Sequence, residues 1–407
     1  MAKEKANNSN SPFVQAWKRL KKNKVSVLSL FFLGFILLVA LLGYSITPDY
    51  TPNANYQVLE LRTKPMGYSL DALMIRKNKE VDHEKLLGLE FLHTLLFGKE
   101  NPYDTKPIQS YRFKNEHIYV ETIDDGYEVK YNIADVLYPI SVNQQEVLQS
   151  GGKVFFEDVY GVKHEKTIKE LQDQIIDEAL VKRNYIFGSD KLGRDYFSRL
   201  LLGIRVSISV GLISVLISLV LGVTFGALAG YFRGWVDDLV MYIVNVTWSI
   251  PTLLLVFAIV LAVGRGFWQI FIAVGLTMWV EVARLVRGQV MSLREKEFIE
   301  AGHSLGFHHF RIIFIHILPN IMGPLIVIAT ANFAAAVLIE AGLSFLGIGV
   351  QSPTPSWGTM LKEHKNYITS TDKAFLAIIP GIAIAIMVYT INLLGNGLRD
   401  AFDVRSK

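Results

Sequence analysis

Four histidines lie within one short segment of this chain, at His303, His308, His309 and His316. Imidazole nitrogens are common metal ligands, and on a helix His309 and His316 would lie on one face. No acidic side chain completes a ligand set, and the chain contains no cysteine. Neither His83-Glu84 nor His164-Glu165 is followed by the second histidine of an H-E-x-x-H motif. We therefore predict no metal site and interpret these histidines as solvated or interfacial.

The chain lacks the usual sequence motif of a phosphate-binding loop. No G-x-x-x-x-G-K-[ST] motif occurs, because Gly151-Gly152-Lys153-Val154 has neither the spacing nor the hydroxyl. We predict that the chain has no catalytic residues, is not an enzyme and binds no cofactor itself.

The stretch at 300–320, EAGHSLGFHHFRIIFIHILPN, is polar and partly basic, and it separates two long apolar runs. Acidic residues such as Glu300 favour the N-terminus of a helix, and Gly306 permits the left-handed turn that ends one. Ala301 and Gly302 leave a face with almost no side chain, which a partner could approach closely. Pro319 is tolerated in the first turn of the next helix. The pattern predicts a short helix along the membrane face, tied to a spanning helix; the alternative is an ordinary solvated loop.

This stretch resembles the EAA loop of permease subunits in binding-protein-dependent ABC importers. Gly302 stands where the motif has a second alanine, and His316 where it has isoleucine. Further stretches resemble the same family, in its oligopeptide/dipeptide/nickel branch and as its second, C-type peptide permease. They lie at 187–200, 229–237, 340–358 and 392–400.

The resemblance implies a role for each of these regions. A helix of the EAA loop would couple to a separate ATPase through Glu300, Ala301, Gly302, Leu305, Gly306, Phe307, Leu318 and Pro319. From their places in or beside the fifth span, we also predict Asn320, Gly323, Pro324, Asn332 and Glu340 as gating or path residues. An external binding protein would dock on Asp190, Leu192, Gly193, Arg194, Asp195, Pro353, Pro355, Ser356 and Trp357.

The resemblance also implies the partners. They are a sister permease, two ATPase subunits that bind ATP and Mg²⁺, an external peptide-binding protein and the lipid bilayer, with no nucleic acid. A heterodimer and a homodimer of permeases both stay open.

Composition favours a polytopic membrane protein. The 407 residues are 51% hydrophobic, with a mean hydropathy of +0.31, and a bilayer span needs about 20 apolar residues. Six candidate runs occur, at about 25–46, 204–230, 239–263, 267–283, 317–339 and 374–394. The net charge of +4 follows from basic segments beside the spans and gives no reason to invoke nucleic acid.

Basic residues also predict the orientation. The segment Trp17–Lys24 carries five lysines or arginines and should stay in the cytoplasm. Six spans would then return the C-terminus to the cytoplasm, in the plasma or inner membrane of a bacterium. The first run is too long for a cleaved signal peptide.

The domain organisation follows from these runs. We expect a basic N-terminal segment (1–24), a first span (25–46), an extracytoplasmic insertion (47–186) and a core permease domain (187–400). The core would contain five spans and the EAA coupling loop 291–319, and a short cytoplasmic tail (401–407) would follow.

The insertion reads as a small α+β domain. Alternation from Tyr111 to Tyr131 around Asp124-Asp125-Gly126 predicts a hairpin. Leucine-rich and apolar spacings predict helices at 84–97 and 164–182. The insertion is interpreted as an accessory packing domain, or as a docking surface for the external binding protein.

Several residues within the spans have two interpretations. Glu340 could meet an amino terminus or a partner's arginine, but a structural hydrogen-bond network is the favoured reading. Glu281 is expected to pair within its helix with Arg284 or Arg287. Asn245, Asn332 and Asn392 are interpreted as packing residues.

Glycine and proline predict the helix geometry. Pro251 should kink the third span, and Gly323-Pro324 is the pair that we associate with gating. Gly222, Gly226 and Gly230, four apart, should let another helix approach closely, in this chain or in a sister permease.

The function predicted is a permease subunit that forms half of the path of an ATP-driven peptide importer. A first alternative is import of nickel or another small solute. A second is a membrane-anchored sensor or enzyme that uses the 47–186 domain.

Overall fold

A computed structural model describes residues 12–79, 89–123, 126–140, 148–150, 152–264 and 266–402. The chain forms two compact units. The helical unit comprises Met1–Ala40, Gly203–Thr369 and Ala374–Lys407, and the β-sheet unit comprises Leu41–Leu202 with Ser370–Lys373.

The described helices are α1 (Pro12–Leu20), α2 (Lys24–Ile46), α3 (Leu89–Phe97), α4 (Ile133–Leu137), α5 (Ile168–Gln174), α6 (Tyr196–Phe232), α7 (Gly234–Trp248), α8 (Thr252–Val263), α9 (Phe267–Arg294), α10 (Glu297–Ser304), α11 (His309–Arg311), α12 (Leu318–Leu346), α13 (Trp357–His364) and α14 (Phe375–Phe402). The described strands are β1 (Tyr68–Arg76), β2 (Tyr103–Lys114), β3 (His117–Thr122), β4 (Glu128–Asn132), β5 (Leu148–Ser150), β6 (Lys153–Glu157), β7 (Lys163–Thr167) and β8 (Leu180–Tyr185).

The described residues include five helices that are long and apolar enough to cross a membrane. They are α2, α6, α9, α14 and the continuous helical run His309–Leu346. The third of the six apolar runs is instead the pair α7 and α8, which meet at 93°. The break falls before Pro251, which has no N–H to continue the helix. The predicted kink is therefore confirmed, and it is a sharp bend.

The glycine row of α6 packs against α9 within the same chain. A Cβ at Gly226 would lie 2.9 Å from Val286 Cβ, and one at Gly230 would lie 2.7 Å from the Arg287 carbonyl oxygen. These distances leave no room for a side chain, so the two backbones are in direct contact. The predicted close approach is confirmed, and its partner is α9.

Pro324 and Pro380 lie inside continuous helices. Pro324 belongs to α12 and Pro380 to α14. A wide π-type turn, Ile312–Ile317, precedes α12, and Leu318 N–H donates to the carbonyl of Ile313. Since Pro319 lacks an N–H, the chain loses a normal hydrogen bond here, and the wide turn accommodates that loss.

The β-sheet unit contains a five-stranded antiparallel sheet in the order β4-β3-β2-β1-β8 and a three-stranded sheet in the order β5-β6-β7. Alternate residues of the strands point into one core, where Leu73, Ile118, Ile133 and Leu171 are fully buried. The α+β character expected of the insertion is confirmed.

The local predictions for this unit hold in part. β3 and β4 form the expected hairpin, and residues 124–125 of its turn lie outside the described residues. A second turn at Asn115, with φ of 54°, separates β2 from β3 and was not predicted. A left-handed asparagine is tolerated, but its sequence signal is weak.

Of the two helices predicted in this unit, one is described only in part and the other is shorter than expected. α3 begins at Leu89, and residues 84–88 lie outside the described residues. The segment 164–182 is a helix only from Ile168, where Thr167 and Glu170 form a capping box. Strands β7 and β8 take its two ends, because pairing with neighbouring strands overrides helical spacing.

Candidate functional site

Helix α10, here called the coupling helix after its predicted role, ends in a Schellman motif. Gly306 has φ of +74°, Phe307 N–H donates to the Gly302 carbonyl at 3.0 Å, and Gly306 N–H donates to the His303 carbonyl at 2.9 Å. Both bonds satisfy carbonyls that a helix end otherwise leaves free. The stop predicted at Gly306 is therefore present, and it fixes where the chain turns back toward α12.

One face of α10 is anchored and the other is open. Ile299 and Gly302 are buried, whereas Glu300 and Ala301 are exposed. Phe298 and Leu305 are 47% and 72% exposed. Apolar side chains that project from a rigid helix beside charged residues are typical of an interaction surface.

Gly302 does not lie on the open face, in contrast to the expectation that a partner approaches its backbone. A Cβ at this position would lie 3.5 Å from Phe307 Cδ2 and 4.0 Å from Ile312. The small residue therefore accommodates the ring of Phe307, which folds back over the helix. Among the pair, only Ala301 presents its small side chain outward.

Tyr231 joins this segment to the end of α6. Its hydroxyl lies 3.2 Å from His303 Nε2 and 2.9 Å from His309 Nδ1. Arg294 Nη1 also donates to the Tyr231 carbonyl, and its guanidinium lies 5.5 Å from the centre of the Tyr231 ring. Tyr231 thus connects α6, the end of α9 and the two sides of the turn at Gly306.

The Tyr231 contacts were not predicted. Sequence reasoning treated the histidines as solvated or interfacial, and Tyr231 lies about 70 residues away in sequence from His303. The spacing of His303 and His309 on either side of Gly306 is the one signal that these two rings could meet.

An ion pair fastens the turn after α6 to the chain that leads into α10. Arg233 Nη2 donates to Glu295 Oε1 at 2.7 Å. This hydrogen bond and the charge of Arg233 lower the pKa of Glu295 from its usual value. The carboxylate is thus held in its charged form beside the coupling helix.

Phe307 and His316 stack at the start of the fifth span. Their rings are 5.6 Å apart with planes 9° from parallel, and the Arg311 guanidinium lies 4.4 Å from the centre of the Phe307 ring. Flat stacking needs an aromatic partner, which isoleucine at 316 could not supply. His316 thereby ties the end of the Schellman motif to the helix that continues into α12.

The remaining coupling and path residues follow along α12. Leu318 is half-buried, Pro319 is exposed, and Asn320 Nδ2 donates to the His316 carbonyl at 2.6 Å. Gly323 packs against Phe402 of α14, where a Cβ would lie 3.1 Å from the ring. Gly323-Pro324 therefore lies at a close helix contact just above the coupling segment.

Asn332 and Glu340 are both buried. The Nδ2 of Asn332 has no hydrogen-bond partner among the described residues. Glu340 is fully buried and accepts a hydrogen bond of 2.7 Å from Ser344 Oγ, and Ser344 Oγ in turn accepts from Val350 N–H. This geometry is that of a structural network that holds the chain after α12.

The expected docking residues at 190–195 lie mostly inside the β-sheet unit. Asp190 and Arg194 are fully buried and form an ion pair of 2.6 Å. Asp190 Oδ1 accepts from Leu192 N–H and Arg194 N–H, and Gly193 has φ of +73° with its Cα against the Val58 carbonyl. The resemblance implied a docking loop, but the charges of Asp190 and Arg194 pair within the fold, and at 190–195 only Lys191 and Leu192 are partly exposed.

Asp195 extends this hydrogen-bonded cluster and caps the N-terminus of α6. Its Oδ2 accepts from Ser198 N–H at 2.7 Å, and Asp49 N–H donates to Ser198 Oγ at 3.0 Å. Burial raises the pKa of Asp195, and the hydrogen bonds from Ser198 only partly offset that effect.

The second expected docking stretch is also largely internal. Ser356 forms a capping box with Thr359 at the start of α13, and Trp357 is 3% exposed. The indole packs against Gly203, where a Cβ would lie 2.9 Å from its ring. Pro355 is buried and Pro353 is exposed, so Pro353 is the part of this stretch that a partner could reach.

Glu281 does not form the ion pair within α9 that its spacing predicted. Arg284 instead donates to Asn245 Oδ1 at 3.2 Å and lies 3.5 Å from the centre of the Trp248 ring. Arg287 forms a two-pronged ion pair with Asp237. Both arginines thus hold α7 against α9, because the bent span brings its polar groups to them.

Two family profiles match the chain. Residues 222–407 match "Binding-protein-dependent transport system inner membrane component", and residues 11–65 match "N-terminal TM domain of oligopeptide transport permease C". The first match contains the coupling segment, and the second contains the first span. Neither covers the strands of the β-sheet unit.

Named relatives match about half of the chain. The dipeptide transport system permease protein DppC of Alkalihalophilus pseudofirmus is 42% identical over 221 residues, which is 54% of this chain and 72% of the relative. The glutathione transport system permease protein GsiD of Pectobacterium atrosepticum is 40% identical over 220 residues, again 54% and 72%. Both are named as permease subunits of transport systems, and neither is named as an enzyme.

Solved structures with some likeness include the MetNI methionine ABC transporter in an inward-facing form, at a TM-score of 0.43 and 20% identity over 51% of this chain and 97% of the other. The family assignment rests on the profile matches and on the relatives that are at least 40% identical. The chain is a multi-pass membrane protein and belongs to the family of binding-protein-dependent transport system inner membrane components.

Proposed function

We propose that this chain is a permease subunit that forms half of the translocation path of an ATP-driven importer for di- or oligopeptides. The observation that carries the coupling role is the open face of α10. Phe298 and Leu305 project from a helix that is anchored by Ile299 and terminated by a Schellman motif. The peptide substrate is supported by the names of the relatives, which transport dipeptides and glutathione.

The partner on this face is an ATPase subunit. ATP and Mg²⁺ bind there, and the permease contributes Glu300, Ala301 and Leu305 to the contact. Burial of Phe298 and Leu305 would contribute about 1.5–3 kcal/mol for each side chain that becomes fully covered. The complete importer would contain two ATPases, a second permease and an external binding protein.

Motion at the ATPase reaches the spans through two rigid links. Tyr231 connects α10 to α6 through His303 and His309. The Phe307–His316 stack connects the end of α10 to the start of α12. A shift of the coupling helix therefore moves α6 and α12 together, and Gly323-Pro324 is where α12 can flex against α14.

Docking of the binding protein would use the exposed parts of the outer loops, such as Leu192 and Pro353. The buried charges at 190–195 give those loops their shape. The N- and C-termini would lie in the cytoplasm, as the basic segment before α2 favours.

Cross-linking tests the coupling contact, and the absence of native cysteine makes it clean. A cysteine at Leu305, paired with cysteines scanned over the ATPase surface, should form a disulfide in the assembled complex and change yield when ATP is added. A cysteine at Val162, which is exposed in the β-sheet unit, is the matched control and should form none. Absence of any Leu305 cross-link in a complex that contains the ATPase would refute this contact.

Transport by the complete complex tests the substrate. Vesicles that contain both permeases, both ATPases and the binding protein should take up labelled dipeptide in an ATP-dependent manner. Uptake of ⁶³Ni²⁺ without peptide uptake would instead support the small-solute alternative. ATP-independent chemistry by the isolated β-sheet unit would support the sensor or enzyme alternative.

A further inference from the structure

A small cavity of about 120 Å³ lies at the break between α7 and α8. Its walls come from four helices of the helical unit. Thr247 and Trp248 contribute from α7, Thr277 and Glu281 from α9, and Ile339 from α12. The cavity therefore lies where the only bent span among the described residues meets two long spans.

Glu281 reaches this cavity with a free carboxylate. It is exposed, and no described residue forms a hydrogen bond or an ion pair with it. The nearest cations in sequence are occupied elsewhere, Arg284 by Trp248 and Asn245, and Arg287 by Asp237. The charge of Glu281 is thus available to a group that this chain does not supply.

The position of Glu281 along α9 indicates what an unpaired charge there must face. It is the fifteenth residue of the 28-residue α9, or about 21 Å from the start of that helix at 1.5 Å per residue. A hydrocarbon core is about 30 Å thick, and the fourth apolar run, 267–283, contains Glu281 close to its C-terminal end, so Glu281 lies within the span near one edge. Carboxylates at that depth face a water-filled cavity or a cation, because exposure to lipid is too costly.

The surroundings of the cavity favour a cation. The break at Pro251 ends α7, and although the carbonyls of Asn245, Val246 and Thr247 accept hydrogen bonds within the turn, the C-terminal end of a helix carries a partial negative charge. Threonine hydroxyls at Thr247 and Thr277 donate to carbonyls of their own helices, and their oxygens keep a free lone pair. Trp248, held in place by Arg284, forms an aromatic wall.

We propose that Glu281 is the specificity-determining residue of the path in this subunit and receives a primary ammonium group of the peptide in transit. This inference rests on the proposed import of peptides. A cavity of about 120 Å³ holds several waters, since one water needs roughly 10–15 Å³ of such space. It therefore accommodates one ammonium group with its first carbons, and the rest of the peptide lies in the wider path. The ammonium group is either the α-amino group or a lysine side chain.

The test compares Glu281→Gln with the parent in vesicles that contain the complete complex and its binding protein. Glutamine keeps the shape and removes the charge. Uptake of labelled Ala-Lys at subsaturating concentration should fall about tenfold, whereas ATP hydrolysis stimulated by the binding protein should stay near the parent value. Glu165→Gln, which removes an exposed acid of the β-sheet unit, should leave both quantities unchanged.

Two further arms identify the group and guard against misfolding. Equal losses for Ala-Ala and Ala-Lys identify the α-amino group, and a loss confined to Ala-Lys identifies the side chain. Glu281→Asp, which keeps the charge, should recover at least half of the parent uptake.

The proposal is overturned if Glu281→Gln transports both peptides like the parent. It is also overturned if uptake and stimulated ATP hydrolysis fall together in both the Gln and the Asp variants, because that result is a structural defect. If the parent complex itself imports no peptide, the proposed function fails first, and this outcome is distinct from a failure of Glu281.

Discussion

At the scale of single residues, two glycines of the coupling turn carry different constraints. Gly306 has a positive φ that ends α10, whereas Gly302 lies inside the helix and faces Phe307. The left-handed conformation costs a residue with a side chain about 1–2 kcal/mol. A helix interior instead favours alanine over glycine by about 0.5–1 kcal/mol.

Alanine substitutions should therefore have opposite effects. Gly306→Ala should lower the opening free energy of the coupling turn by about 1 kcal/mol, and Gly302→Ala should leave it unchanged or raise it, since its Cβ meets Phe307 at an ordinary 3.5 Å. Hydrogen exchange at the amides of Leu305–Phe307 in the purified permease measures both. Greater destabilisation by Gly302→Ala than by Gly306→Ala would contradict the packing described for Gly302.

The second residue-scale prediction concerns Asp195. Burial raises its pKa in the folded protein above the unfolded value, so the folded state binds more protons than the unfolded state between these two pKa values. Its contribution to stability is therefore greatest below the unfolded pKa and declines as pH rises through the folded pKa. Asparagine caps a helix about as well as aspartate and does not ionise.

Asp195→Asn should consequently gain stability relative to the parent as the pH rises from 4 to 7. The thermal midpoint of the purified permease in detergent, measured at both pH values, gives the comparison. Glu60→Gln, a change of a more exposed acid in the same unit, is the control. A difference between Asp195→Asn and the parent that shrinks with rising pH would contradict the assigned direction.

At the scale of elements, the contact between α6 and α9 depends on backbone approach at a row of glycines. Gly222, Gly226 and Gly230 have no space for a Cβ, whereas Gly288 of α9 has nothing within 4 Å. This difference separates a glycine that packs from one that merely occurs in a helix.

We expect Gly226→Ala to destabilise the helical unit by about 1–3 kcal/mol, because the added methyl group forces the two backbones apart. Gly288→Ala should be neutral or slightly stabilising. Thermal unfolding in detergent, monitored by tryptophan fluorescence, distinguishes them. Equal unfolding midpoints for the two variants would show that the close approach of α6 and α9 does not contribute to stability.

At the scale of the whole molecule, the orientation in the membrane can be tested with single cysteines. A cysteine at Val162 should react with a membrane-impermeant maleimide in intact spheroplasts. In the permease produced without its ATPase partner, a cysteine at Leu305 should react only after lysis, because it would lie on the cytoplasmic face. The reverse pattern would overturn the proposed orientation, and labelling of both sites after lysis is the control for accessibility.

Much of this organisation could be predicted from local sequence signals. The apolar runs, the break at Pro251, the glycine row of α6 and the stop at Gly306 depend on properties of neighbouring residues, such as a missing N–H or a missing Cβ. The segment at 164–182 could not be predicted correctly, since Thr167 and Leu180 belong to strands only because other strands pair with them.

The sequence by itself determined the class of protein, the apolar runs and the bounds of the predicted coupling helix, because hydrophobicity, chain length and glycine or proline chemistry act locally. Only the tertiary structure decided which charged side chains have partners within the chain and which do not. Asp190 and Arg194 pair with each other inside the β-sheet unit, and Arg284 and Arg287 pair with α7 rather than with Glu281. Burial and partner choice depend on residues distant in sequence, so a free carboxylate at Glu281 becomes visible only when the helices are packed.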